Sequence, residues 1–221
     1  MLGRLHERYG DRLNFLTIED PVERDLGFAG QTQVNEAQGL TFERALRAAL
    51  RQDPNVLMIG EVRDEETART AVQAGMTGHL VFSTIHAGRA TRVFTRLLSM
   101  GAPPYLVASA LGGAIAQRLA RVLCPRCRRK GPDGEFFVAA GCEACGQTGH
   151  RGRTGLFELA VVTESLRERI LSQATPQEIA VEAARAKVGD LVGQGRRMLE
   201  TGEIARAEFE YLFAGEETSE G

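Results

Sequence analysis

A chain of 221 residues, 43% hydrophobic and 25% charged, is long enough for one domain with an appended module and apolar enough to fill a core. Its 27 basic and 29 acidic side chains nearly cancel, which excludes a global field drawing it to nucleic acid, and no run approaches the ~20 apolar residues of a membrane span. Residues 1–9 lack the apolar centre of a secretory signal, and four cysteines in two close pairs suit a reducing compartment, so the chain reads as cytoplasmic.

In chain order, short apolar runs at 13–18, 56–59 and 79–84 read as buried strands. Residues 41–51, 64–74, 90–100 and 105–119 carry helical spacing, the first opened by Thr41 as an N-cap. Strands alternating with helices predict a parallel sheet covered by helices on both faces. From 121 to 153 the composition turns to cysteine, glycine and arginine, and such a segment needs a constraint other than a core. Helical spacing returns at 165–173, 176–186, 191–200 and near Glu208, and the polar stretch 215–221 reads as a flexible tail. The expected organisation is an α/β core over 1–120, a cysteine module over 121–155, a helical region over 156–214 and the tail.

Two predicted strands end in carboxylates: Leu16-Thr17-Ile18-Glu19-Asp20-Pro21-Val22-Glu23 and Val56-Leu57-Met58-Ile59-Gly60-Glu61. Ligands of open parallel sheets bind at the carboxyl ends of strands, so these acids would face one crevice. There an acid can orient or deprotonate water, or hold water of a magnesium shell. A third strand, His79-Leu80-Val81-Phe82-Ser83-Thr84-Ile85-His86, ends in hydroxyls and an imidazole able to sense a terminal phosphate. Acids at strand ends are often plain turn residues; three polar strand ends together, with Arg51, Arg63 and Asp64 beside the second, make the stronger case.

Cys124-Pro125-Arg126-Cys127 and Cys142-Glu143-Ala144-Cys145 are C-x-x-C pairs separated by fourteen residues. Two such pairs complete a tetrahedron of thiolates, which favours a structural zinc ion over harder cations. A thioredoxin-like redox site would need one such pair beside a βαβ unit, not two in a glycine-rich excursion. Arg118, Arg121, Arg126, Arg128, Arg129 and Lys130 surround the pairs. They read either as a docking face for acidic partners or anionic lipid headgroups, or as a solvated surface. Nucleic acid is disfavoured there, because no interleaved aromatics are present to stack bases.

These segments resemble the ATPases of type II secretion and type IV pilus assembly. Residues 17–23 match that family's acidic box, 50–64 its Walker B signature, and 77–86 its histidine box. The likeness continues through Gln117-Arg118-Leu119, the cysteines and Gly152-Arg153-Thr154-Gly155. Departures are Asn55, where the family usually has aspartate, and Ala87-Gly88-Arg89-Ala90 behind His86. The resemblance implies a RecA-like α/β core with a tetracysteine zinc module and a helical C-terminal region. It implies ATP and magnesium as cofactors, Glu61 polarising the attacking water and Glu19 near the metal. His86 would be a phosphate sensor, with His79, Asp20 and Arg51 as further nucleotide-side residues. The partners implied are like subunits in a hexameric ring and the cytoplasmic domains of inner-membrane secretion or pilus proteins.

One element of that chemistry is absent from the sequence. Phosphate cradling needs G-x-x-x-x-G-K-[ST], and the only lysines, Lys130 and Lys187, stand in no Gly-Lys-Ser/Thr context. Residues 1–9 resemble the second half of the helix that follows this loop. The expectation is a chain cut just past the loop and inactive alone. The alternatives are a natural non-hydrolysing or regulatory ring subunit, and a zinc-ribbon nucleic-acid binder on an ATPase-like fold.

Overall fold

The computed structural model describes residues 1–132 and 134–214; the expected tail lies outside them. Chain contacts gather these residues into two compact units, each built from two segments: 1–113 with 161–186, and 114–160 with the chain from Lys187 onward. This grouping cuts across the consecutive blocks expected from composition.

The first unit centres on strands β1 (Phe15–Glu19), β2 (Gly30–Gln33), β3 (Val56–Ile59) and β4 (Leu80–Ser83). They form one parallel sheet in the order β2-β1-β3-β4. Alternation sends Phe15, Val56, Met58 and Phe82 to one face, where helix α1 (Leu2–Tyr9) meets them with Leu2 and Leu5. The opposite face, with Leu16, Ile18, Leu57 and Ile59, takes α2 (Phe42–Ala49) packed on β1 and α3 (Glu65–Met76) packed on β4. Helix α2 buries Phe42, Ala45, Leu46 and Ala49, a single stripe at helical spacing, and starts where Thr41 Oγ1 accepts the Arg44 N–H. Asp64 caps α3 in the same way, accepting the Thr67 N–H at 2.8 Å. Helices α4 (Val93–Ser99) and α5 (Pro104–Ala110) follow.

The helix expected over 105–119 is corrected by the structure: α5 stops at Ala110, and Gly113–Leu123 is an eleven-residue strand, β5. Ala, Gln, Arg and Leu are helix formers, which is why this stretch reads as helical. Its pairing decides otherwise. Ala114, Ala116 and Ala120 alternate toward the core while Ile115 and Leu119 point out, a period of two that small alanines disguise.

The rest of the second unit follows from β5. A short antiparallel ribbon, β6 (Arg129–Lys130) and β7 (Phe137–Val138), lies within the cysteine region. Strand β8 (His150–Val161) runs where the cysteine module and helical region were expected to meet. After α6 (Glu164–Leu171) and α7 (Pro176–Arg185) of the first unit, β9 (Lys187–Val188) returns to close the sheet β5-β8-β9. Helices α8 (Leu191–Glu200) and α9 (Arg206–Phe213) complete the unit. Its core joins Ala120 and Leu156 of the sheet to Leu191, Leu199, Ile204, Phe209 and Phe213.

Candidate functional site

Parallel register brings the carboxyl ends of β1, β3 and β4 side by side, and beyond them lie the predicted acids. Gly60 makes this close approach possible: a Cβ there would sit 3.2 Å from the Ile18 carbonyl oxygen and 3.4 Å from Glu19 Cα. Its N–H donates to the Ile18 carbonyl at 2.7 Å, and Thr84 Oγ1 donates to the Gly60 carbonyl at 2.6 Å. The chain that follows is thereby fixed between its neighbours, and Glu61 emerges beside Asp20 and His86.

Arg63 organises these groups. Its guanidinium bonds the Glu61 carboxylate and lies 3.8 Å from Asp20 Oδ2. The hydrogen bond from Arg63 holds the Glu61 carboxyl below the usual carboxylate range against the opposing effect of desolvation. His86 Nε2 stands 3.7 Å from Glu61 Oε2, with its side chain 94% exposed. Glu61, Arg63, Ile85, His86 and Arg96 line an open cavity of about 360 Å³.

Glu19 is buried at the end of β1, where its Oε1 accepts from Thr17 Oγ1 at 2.6 Å and Gln31 Nε2 at 2.9 Å. Gln31 sits on β2, a Gly-Gln-Thr-Gln strand with no apolar residue to announce it, and its support of Glu19 was not foreseeable from periodicity. Two expected nucleotide-side residues are placed elsewhere. Arg51 precedes β3 and His79 precedes β4, so both stand at the amino ends of strands whose carboxyl ends carry the acids. His79 Nδ1 lies 3.0 Å from both the Ala74 carbonyl and Thr77 Oγ1, closing the end of α3. Nearby, a larger cavity of about 460 Å³ lined by Arg47, Thr70, Gln73 and Thr77 has none of these carboxylates.

In the second unit the four cysteines meet, with all four sulfurs within 4.8 Å of one another. Cys124–Cys142, Cys127–Cys145 and Cys142–Cys145 Sγ distances are 4.0, 3.9 and 3.8 Å. A tetrahedral ion bound at about 2.3 Å to each sulfur has S···S edges of about 3.8 Å, so the cluster can hold one metal ion. Burial pushes the Cys127 thiol up to about 12, with the Cys142 and Cys145 thiols adding to the rise. Burial acts the same way on Cys145, but the N–H groups of Cys142 and Gly149 outweigh it and bring that thiol down to about 6.

The surrounding cations are sorted by the fold. Arg118 donates to the Leu212 carbonyl, Arg121 pairs with buried Glu208 at 2.6 Å, Arg128 donates to the Gly202 carbonyl, and Lys130 bonds the Glu135 carbonyl. Four of the six are thus internal ties, and Arg126 and Arg129 face outward.

Residues 2–211 match the family described as Type II/IV secretion system protein. The chain belongs to that family. The type II secretion system protein E of Aeromonas hydrophila is 49% identical over 184 residues, covering 76% of this chain and 36% of that protein. The type IV pilus assembly ATPase PilB of Thermus thermophilus is 44% identical over 191 residues, covering 79% of this chain and 21% of that protein. The chain therefore spans about a third or less of the length of these relatives. Among solved structures, the pilus retraction motor PilT with bound ADP superposes with a TM-score of 0.65 at 26% identity, over 90% of this chain and 52% of that one. The secretion-family fold is thus present in a chain whose parallel sheet gathers Glu19, Asp20, Glu61 and His86 at one end. Among the described residues, no helix is long and apolar enough to cross a membrane.

Proposed function

We propose that this chain is a catalytic portion of a secretion or pilus-assembly motor ATPase, in which Glu61 polarises the water that attacks the terminal phosphate of ATP. The observation that carries this reading is the convergence of Glu19, Asp20, Glu61, Arg63 and His86 at the carboxyl ends of three adjacent parallel strands. Arg63 keeps Glu61 ionised, the form that accepts a hydrogen bond from water. Glu19 and Asp20 offer the hard oxygen donors that suit magnesium and its water shell. His86, exposed beside Glu61, is free to turn toward a phosphate.

The phosphate-cradling loop comes from outside these 221 residues, since neither lysine has the required context. Strand β4 supports this. It pairs with β3, has no partner on its other side among the described residues, and leaves Leu80 46% exposed, although Leu-Val-Phe is the composition of a central strand. A further parallel strand leading into the loop would cover that edge.

The tetracysteine cluster takes zinc, which its four thiolates suit in softness and number. Like subunits in a ring and cytoplasmic domains of inner-membrane secretion or pilus proteins are the partners of this reading. Arg126 and Arg129 are the cations left to meet anionic headgroups.

The test compares the 221-residue chain with a longer form that carries the loop. The short chain should show no turnover above background with magnesium and ATP. In the longer form, Glu61→Gln should lower turnover on the order of 10²-fold or more while ATP binding persists. Normal turnover by that variant would remove Glu61 from its role, and a longer form that binds but never hydrolyses ATP would favour a non-catalytic ring subunit.

A further inference from the structure

We infer that the metal centre fastens the C-terminal helices α8 and α9, and that Arg128 carries the constraint from one to the other. The inference rests on the reading of the four cysteines as a zinc site, and it concerns what that site holds in place.

The first cysteine pair forms a tight knuckle. Cys124, fully buried at the end of β5, accepts through its carbonyl the N–H groups of Cys127 at 3.3 Å and Arg128 at 2.9 Å. Placing Cys124 and Cys127 on one ion therefore fixes the main chain at Arg128. From that point the guanidinium reaches the carbonyls of Gly202 at 2.5 Å and Thr201 at 3.4 Å, just past the end of α8. Carbonyls at a helix end lack intrahelical donors, and a cation there also favours the helix dipole.

A second set of contacts repeats the connection. The Arg128 guanidinium lies 5.1 Å above the Phe137 ring on β7. That ring rests on Gly202, whose φ is +70°, and a Cβ at Gly202 would lie 2.3 Å from Phe137 Cδ2. Only glycine fits both the backbone and the ring. Leu123, one residue before the first cysteine, donates its N–H to the Glu203 carbonyl at 2.8 Å. At the start of α9, Arg206 bonds Glu135 at 2.8 Å and covers the Phe136 ring at 4.3 Å. The turn between α8 and α9 is thus sewn to the cysteine region on three sides. That region has little apolar content of its own, so the order it imposes is drawn from the metal.

Hydrogen exchange on the full chain tests this, with zinc measured separately by its release on thiol modification. Wild-type chain should bind one zinc, and chelation should speed exchange of amides in 199–206 by at least tenfold. Arg128→Ala should still bind one zinc yet exchange at that faster rate with metal bound, and Arg128→Lys should recover part of the protection. If chelation removes zinc and leaves 199–206 as protected as before, the fastener is overturned while the zinc site stands. A wild-type chain that takes up no zinc overturns both. If Arg128→Ala loses zinc while Arg128→Lys keeps it, Arg128 builds the metal site itself, and its assignment as the carrier fails.

Discussion

The two units solve the same problem, holding polar groups in fixed places, by opposite means. In the first, Glu61 and His86 project from strand ends into an open cavity, and the sheet beneath them supplies the order. In the second, Cys124, Cys127, Cys142 and Cys145 face one another, and a metal ion held by all four would leave no open position for water or substrate and would itself supply the order. An open site can bind and release a reactant; a closed one can only be assembled or lost.

The largest effect that separates the two is loss of the metal. Cys142→Ser should abolish stoichiometric zinc binding and expose the cysteine region to protease within minutes, while β1, β3 and β4 keep their exchange protection. Global unfolding in that variant would break the comparison, since the closed centre would then support the open site's sheet as well.

A smaller effect concerns a deeply buried carboxylate pair that helps hold the second unit without metal. Glu208 is 3% exposed and accepts the Arg121 main-chain N–H and its guanidinium, whose side chain is 57% exposed. Glu208→Gln should cost about 1–3 kcal/mol in urea unfolding, because charge-assisted bonds are lost but Arg121 can turn to water. The Glu208 carboxyl is held below the usual carboxylate range: burial acts to raise it, and the bonds from Arg121 outweigh that effect. Its contribution should therefore be complete above the unfolded carboxylate pKa and fade as pH falls through the lower folded value. A stability profile that is flat across that acid range in wild-type and variant alike would show that the pair contributes nothing.

The smallest effect sharpens the open site. Arg63→Gln should let the Glu61 carboxyl rise toward its ordinary range, read by NMR titration, with little change in fold because Arg63 is largely exposed. An unchanged Glu61 titration would mean that the strand ends alone set its charge state.

What could be read in the sequence follows from the same contrast. Strands β1, β3 and β4 were legible because short apolar runs have few other places to go, and Val56–Ile59 coincides with its predicted limits. Strand β5 was hidden by alanines, β2 by its lack of any apolar residue, and β8 by starting among the glycines and arginines of the cysteine region. The four cysteines were legible because their spacing encodes their geometry. Membership in a motif was a weaker guide to position: Glu61 and His86 converge, whereas His79 and Arg51 belong to the same signatures and stand at the other end of the sheet. The flanking cations show the reverse. Charge suggested a surface, but an arginine's several donors suit it equally to bonding carbonyls inside a fold, as Arg118 and Arg128 do.

The interleaving of the two units constrains how the chain can be made. Synthesis runs from the amino end, yet residues 1–113 acquire α6 and α7 only after 114–160 have been produced. The sheet of the second unit likewise waits for β9, contributed by Lys187 and Val188. Neither unit can therefore close as an early, self-sufficient fragment leaving the ribosome. Each must keep apolar surface uncovered until its second segment arrives, the condition under which partly made chains are prone to aggregate.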